Sequence, residues 1–167
     1  MLLELSHLDS PVGPLTIAVS ESGLHALEFG GAEALVRARL ERSLPAAHFG
    51  RCSRTEGVLR ALRNYFAGEL RALHDLPAYC SGTAFQQKVW AALRTIPVGR
   101  TTSYRSIADA IGCPSSVRAV GAANGQNPIA LVVPCHRVIA ADGTLCGYGG
   151  GLWRKEWLLR HERALLA

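Results

Sequence analysis

The sequence predicts an α+β protein in two parts. Three observations carry that expectation. Short strand-type runs crowd into the first 30 residues, helical periodicity dominates afterwards, and the charge balance changes sign near residue 80. With 167 residues, 49% of them apolar and 19% charged, the chain can fill one good core or two small ones. Those proportions suit a soluble globular protein.

The strands come first. "LLELSHL" and "GPLTIAV" are apolar-rich runs separated by the turn signal Asp9-Ser10-Pro11-Val12-Gly13-Pro14. "LHALEF" follows the turn Glu21-Ser22-Gly23, so the three predict an antiparallel meander. Residues 32–43, "AEALVRARLERS", have helical composition. Residues 55–70 place Leu59, Leu62, Phe66 and Leu70 on one face and predict a second helix. "HDLPAYCSGT" reads as a linker, which sets domains of 1–80 and 81–167.

The second part is mostly helical. Thr83 with Gln86 three residues on is a capping box. Phe85, Val89, Leu93 and Ile96 then form one stripe that stops at Pro97-Val98-Gly99. Ser103 can cap a short helix ending at Gly112, and Pro114 suits the first turn of another reaching about Asn124. Two short helices joined around a glycine make a helix-turn-helix pattern. The final helix is "RKEWLLRHERALL".

No apolar run approaches the ~20 residues of a membrane helix. The start, "MLLELSHLDS", lacks a basic region and carries Glu4, unlike a secretory signal. Cys52, Cys80, Cys113, Cys135 and Cys146 are odd in number and contain no C-x-x-C pair. That argues against a disulfide framework or closed zinc site and for a reducing cytoplasm. His7, His25, His48 and His74 show no ligand spacing, and Trp90, Trp153 and Trp157 read as core or helix-packing residues.

Charge separates the halves. Residues 1–80 carry 8 Arg and no Lys against 9 acidic residues, a net of −1. Residues 81–167 carry 8 Arg and 2 Lys against 4, a net of +6. An arginine-rich basic half suggests a polyanion partner, with general solubility as the alternative. In residues 117–125, "VRAVGAANG", Ala119, Gly121, Ala122 and Ala123 stand where a major-groove reader carries long polar side chains. A slim helix fits a minor groove ~6 Å wide, and Arg118 could enter the base stack. The same small residues would equally serve helix–helix packing.

The stretch "PCHRV" at 134–138 places Cys135 beside His136. A free thiol with a pKa near ~8.5 needs a base or cation to become a nucleophile. Neighbours along a strand point apart, so contact between the two needs a turn or a bridging water, and Pro134 makes a bend plausible. Lys155, Leu158, Leu159 and Glu162 share one helical face, which puts Glu162 at the edge of an apolar stripe. A carboxylate there needs a partner, and an imidazole would satisfy it. Taken alone, Cys135 also reads as a core thiol and Glu162 as an exposed helix-end residue bonded to Arg163 or water.

Together these residues closely resemble the O(6)-alkylguanine-DNA alkyltransferases. The resemblance runs through "FQQKVWAALRTIPVGRTTSY", "RAVGAANGQNPIALVVPCHRVI", "GYGGG" and "KEWLLRHE", with weaker matches at "SPVGPLTIAV" and "YFAGEL". It implies a ribonuclease H-like first domain and a winged-helix-like second. It implies Cys135 as the alkyl acceptor, His136 as its base through a water, Glu162 as the residue orienting His136, and Asn127 as a brace. Tyr104 would crowd the phosphate and protonate the leaving base, and Arg118 would fill the gap left by the extruded guanine. Val138, Tyr148 and Gly149 would wall the pocket, and Arg105, Ala119 and Gly121 would lie against DNA. The implied activity is one irreversible transfer per molecule from guanine O(6), less well from thymine O4. It needs no cofactor or metal and would act as a cytoplasmic monomer, with scope for cooperativity, in the minor groove without sequence preference. The rival readings are a non-catalytic alkyltransferase-like sensor, typically tryptophan at the cysteine position, a helix-turn-helix regulator, and a cysteine hydrolase. Gly149 stands where many relatives have serine, and the first 51 residues contain no cysteine to support the zinc site of some relatives.

Overall fold

A computed structural model describes residues 1–165. The chain forms two compact units. One is Met1–Ser81 together with Pro128–Val132, and the other is Gly82–Asn127 together with the residues from Val133 onward. The excursion of Pro128–Val132 into the first unit has no counterpart in the sequence expectation.

The first unit is built on a sheet. β1 (Leu2–Leu8), β2 (Leu15–Ser20) and β3 (Gly23–Phe29) form the expected antiparallel meander. A two-residue strand, β4 (His48–Phe49), adds to β1 in parallel, giving the order β3-β2-β1-β4. β2 is buried along its whole length, which explains why "LTIAVS" shows no clean polar alternation. α1 (Glu33–Ser43) lays Val36 and Leu40 against Leu3, Ala18 and Ala26.

α2 (Thr55–Phe66) is shorter than the expected 55–70. Gly68, with φ +111°, takes a backbone conformation that ends it. Its buried face is Val58, Leu59, Leu62 and Tyr65, whereas Phe66 and Leu70 are half-buried. A large aromatic at 65 won the inward position.

Pro128–Val132 pairs with β3. Leu27 N donates to Pro128 O at 3.0 Å and Ala130 N donates to Leu27 O at 3.0 Å. All five residues are buried, and Leu131 sits at φ +69°, a left-handed conformation unusual for a residue with a bulky side chain.

In the second unit α3 (Ala84–Arg94) starts at the expected capping box, with both reciprocal bonds between Thr83 and Gln86 formed. Trp90 Nε1 donates to Ala123 O at 2.9 Å and fixes α3 on α5 (Val117–Gly125). β5 (Thr102–Ser103) leads directly into α4 (Tyr104–Ala110), capped by Ser103 through Ser106 N. α5 begins at Val117, not at Pro114, which lies in the preceding turn. β6 (Val138–Ile139) pairs in parallel with β5, and α6 (Leu152–His161) closes the unit. Trp90 is buried, but Trp153 is exposed at 54%, against the expectation of a packed tryptophan. No helix among the described residues is long and apolar enough to cross a membrane.

Candidate active site

Cys135, His136 and Arg137 form a single 3-10 turn after Pro134. Cys135 N bonds Val133 O at 2.8 Å and Arg137 N bonds Pro134 O at 3.0 Å. The turn replaces strand geometry, so adjacent side chains no longer diverge to opposite faces. All three residues are buried. β6 follows at once, and its Ile139 pairs with Ser103, the residue before Tyr104. The short parallel pair thus places the start of α4 beside the turn.

His136 Nε2 lies 2.9 Å from Glu162 Oε1, with both side chains fully buried. An ionised carboxylate can only accept, so Nε2 carries the hydrogen and the neutral ring keeps its lone pair on Nδ1. Nδ1 is buried and has no hydrogen-bond partner among the described residues. Glu162 also accepts from Arg137, Nε at 2.8 Å and Nη2 at 2.9 Å. Burial pushes the Glu162 carboxyl up, but His136 and Arg137 outweigh it and hold the group well below the usual carboxylate range. The alternative of an exposed Glu162 bonded to Arg163 is excluded.

Arg137 spends its third donor on a helix end. Nη1 bonds Ile96 O at 2.7 Å, a carbonyl just past the end of α3. The breaker after Ile96 then passes beneath Glu162, where a Cβ on Gly99 would lie 3.2 Å from Glu162 O. The Pro97-Val98-Gly99 signal is therefore part of the site's frame.

Burial raises the Cys135 thiol above its ordinary pKa, while hydrogen bonds from Asn127 and Tyr148 and the charge of Lys155 pull it down. Asn127 Nδ2 also donates to Val133 O at 2.7 Å, bracing the chain two residues before the cysteine. Burial raises Tyr104 to about 12, helped by the sulfurs of Cys146 and Cys135. The phenol stays protonated at neutral pH and can donate.

Cys135, His136, Glu162, Asn127, Tyr148 and Tyr104 thus come together, with buried Val138 next in the chain. Gly149 is exposed on the neighbouring loop, and a Cβ there would meet only Gly125 O at 4.0 Å. Arg105, Arg118 and Ala119 lie on the exposed sides of α4 and α5, and half-buried Gly121 leaves room for the Tyr104 ring. The packing alternative for the small residues holds for Ala123, which is buried, but Ala119 and Ala122 face solvent. Sequence reasoning missed Arg137 and Lys155. Both carried a signal, since each is a basic residue in an apolar setting.

Residues 84–164 match the 6-O-methylguanine DNA methyltransferase DNA-binding domain and residues 5–78 match its ribonuclease-like domain. A methylated-DNA–protein-cysteine methyltransferase of Shigella flexneri is 46% identical over 160 residues, covering 94% of each chain. The chain belongs to the methylated-DNA–protein-cysteine methyltransferase family. A relative in Mycobacterium bovis with the same description is 48% identical over 166 residues, covering 94% of this chain and 90% of its own. Among solved structures, the Mycobacterium tuberculosis OGT in complex with DNA superposes with a TM-score of 0.79 at 44% identity, over 98% of this chain and 94% of its own. Family membership gives the buried thiol, imidazole and carboxylate a shared chemical context.

Proposed function

We propose that this protein repairs DNA by moving an alkyl group from guanine O(6) to its own Cys135. The observation that carries the reading is the ordered pair Glu162–His136, with a buried Nδ1 that has no hydrogen-bond partner among the described residues, on the residue that directly follows the buried Cys135. Glu162 fixes the tautomer and the orientation of the ring. His136 Nδ1 takes the thiol proton through a water. The sulfur attacks the alkyl carbon, the S–C bond forms, and the C–O bond breaks with its electrons passing to guanine. Tyr104, still protonated, supplies the proton the leaving base needs. The thioether product has no carbonyl for water to attack, so the protein acts once.

Reaching that atom requires the base to leave the duplex, at a cost of a few kcal/mol. The solvent-facing Arg118, Ala119 and Ala122 of α5 support a slim helix in the minor groove with Arg118 filling the stack. Such a helix reads no sequence, which suits a monomer that inspects any site in cytoplasmic DNA. Thymine O4 presents the same ether carbon and is a poorer substrate. Cys135 itself favours transfer over the sensor reading, since a sensor needs no nucleophile.

The test is intact-protein mass spectrometry after mixing with an O(6)-methylguanine oligonucleotide. One methyl on Cys135, retained indefinitely, is the expected result. An unchanged mass, or repeated turnover, overturns the proposal.

A further inference from the structure

We propose that Lys155 is a positioning residue of this site: its ammonium is the built-in counter-ion of the Cys135 thiolate and the clasp that holds the pocket loop. The inference rests on the alkyl-transfer reading and extends it to a residue outside the Cys–His–Glu chain.

Lys155 is fully buried, a rare state for a lysine. Its Nζ donates to Val138 O at 2.5 Å and to Cys146 O at 3.0 Å, and it stands 5.9 Å from the centre of the Tyr148 ring. Val138 directly follows the nucleophile turn, while Cys146 and Tyr148 belong to the loop before α6. One ammonium therefore joins the two segments that border Cys135.

No carboxylate bonds this ammonium among the described residues. Arg137, Lys155 and Glu162 are the buried arginine, lysine and carboxylate side chains among those residues, two basic against one acidic. Glu162 is committed to His136 and Arg137. With neutral His136 and a neutral thiol, the buried set carries an uncompensated positive charge, which a low-dielectric interior strongly disfavours. A Cys135 thiolate supplies the missing anion. The two carbonyl dipoles soften the isolated charge but do not cancel it.

The titratable groups around this pair are Cys135 and His136 on the turn, Tyr104 on α4, Cys146 and Tyr148 on the loop, and Glu162 just past the end of α6. Burial pulls the Lys155 ammonium itself below its ordinary value, and mapping the modified peptide separates reaction at Cys135 from reaction at Cys146.

The experiment measures the pH dependence of iodoacetamide modification at Cys135, without DNA, in wild-type protein and Lys155→Met. Loss of the cation should raise the midpoint by about one pH unit, a tenfold loss of thiolate below it. An unchanged midpoint in a folded variant overturns the proposal. Should Lys155→Met fail to fold, side-chain 15N NMR of Lys155 replaces it in wild type and Cys135→Ser. The ammonium should titrate lower when the thiolate is gone, and identical titrations overturn the proposal. Failure of the wild-type protein to take up a methyl from DNA would sink the alkyl-transfer reading, yet the thiol modification and the Lys155 titration would still decide the role of Lys155.

Discussion

His136 and Glu162, 26 positions apart in sequence, meet at 2.9 Å with neither side chain open to solvent. The carboxylate fixes which ring nitrogen is free to accept a proton. Glu162→Gln keeps an acceptor for Nε2–H but removes the charge. Single-turnover methyl transfer should slow by about 10–100-fold, read as the rate at which Cys135 gains mass. An unchanged rate would show that the carboxylate does not tune the base.

The same residue sets an acid limit. Its folded-state pKa is depressed below an unfolded value near ~4.3, so its contribution is complete above that pH. It is lost as pH falls below ~4.3 towards the depressed value. Urea midpoints of wild type minus Glu162→Gln should shrink across that interval. Glu4, Glu21 and Glu33 are also depressed, chiefly by hydrogen bonds from Cys52, Ser53 and His7, and cancel in the difference.

Arg118 faces solvent on α5, away from the bonded cluster. Arg118→Ala should therefore leave reaction with free O(6)-methylguanine base unchanged and slow repair of duplex by about tenfold, roughly 1.4 kcal/mol. Equal losses on both substrates would remove it from the flipping step. Binding to DNA should also weaken steeply with salt.

Gly99 holds φ +80° and passes under Glu162 O. Gly99→Ala combines backbone strain with a tight contact and should cost about 2 kcal/mol, lowering Tm by roughly 4–8 °C. Calorimetry measures this directly.

The meander and the capping box were legible because each is local: turn residues and a Thr/Gln pair at fixed spacing. Cys135, His136 and Glu162 could be nominated from residue type and helical phase. The pairing of Glu162 with an imidazole was legible too, but the 3-10 turn that buries Cys135 and His136 together left only Pro134 as its sequence trace. Arg137 stayed hidden for a different reason. Its three contacts reach Glu162 and Ile96, 25 and 41 positions away, and no periodicity links them. α2 ends earlier than its apolar spacing predicts because Tyr65, not Phe66, takes the interior position and Gly68 supplies the stop.

Pro128–Val132 belongs to the first unit although it lies inside the sequence of the second. A single protease cut in the 74–83 linker therefore yields no self-sufficient reactive fragment. The downstream piece would carry off five buried residues stripped of their pairing with Leu27 and expose a sticky apolar ribbon immediately upstream of the reactive sulfur. Expressed alone, that piece should precipitate, and supplying residues 1–81 in trans should restore its solubility.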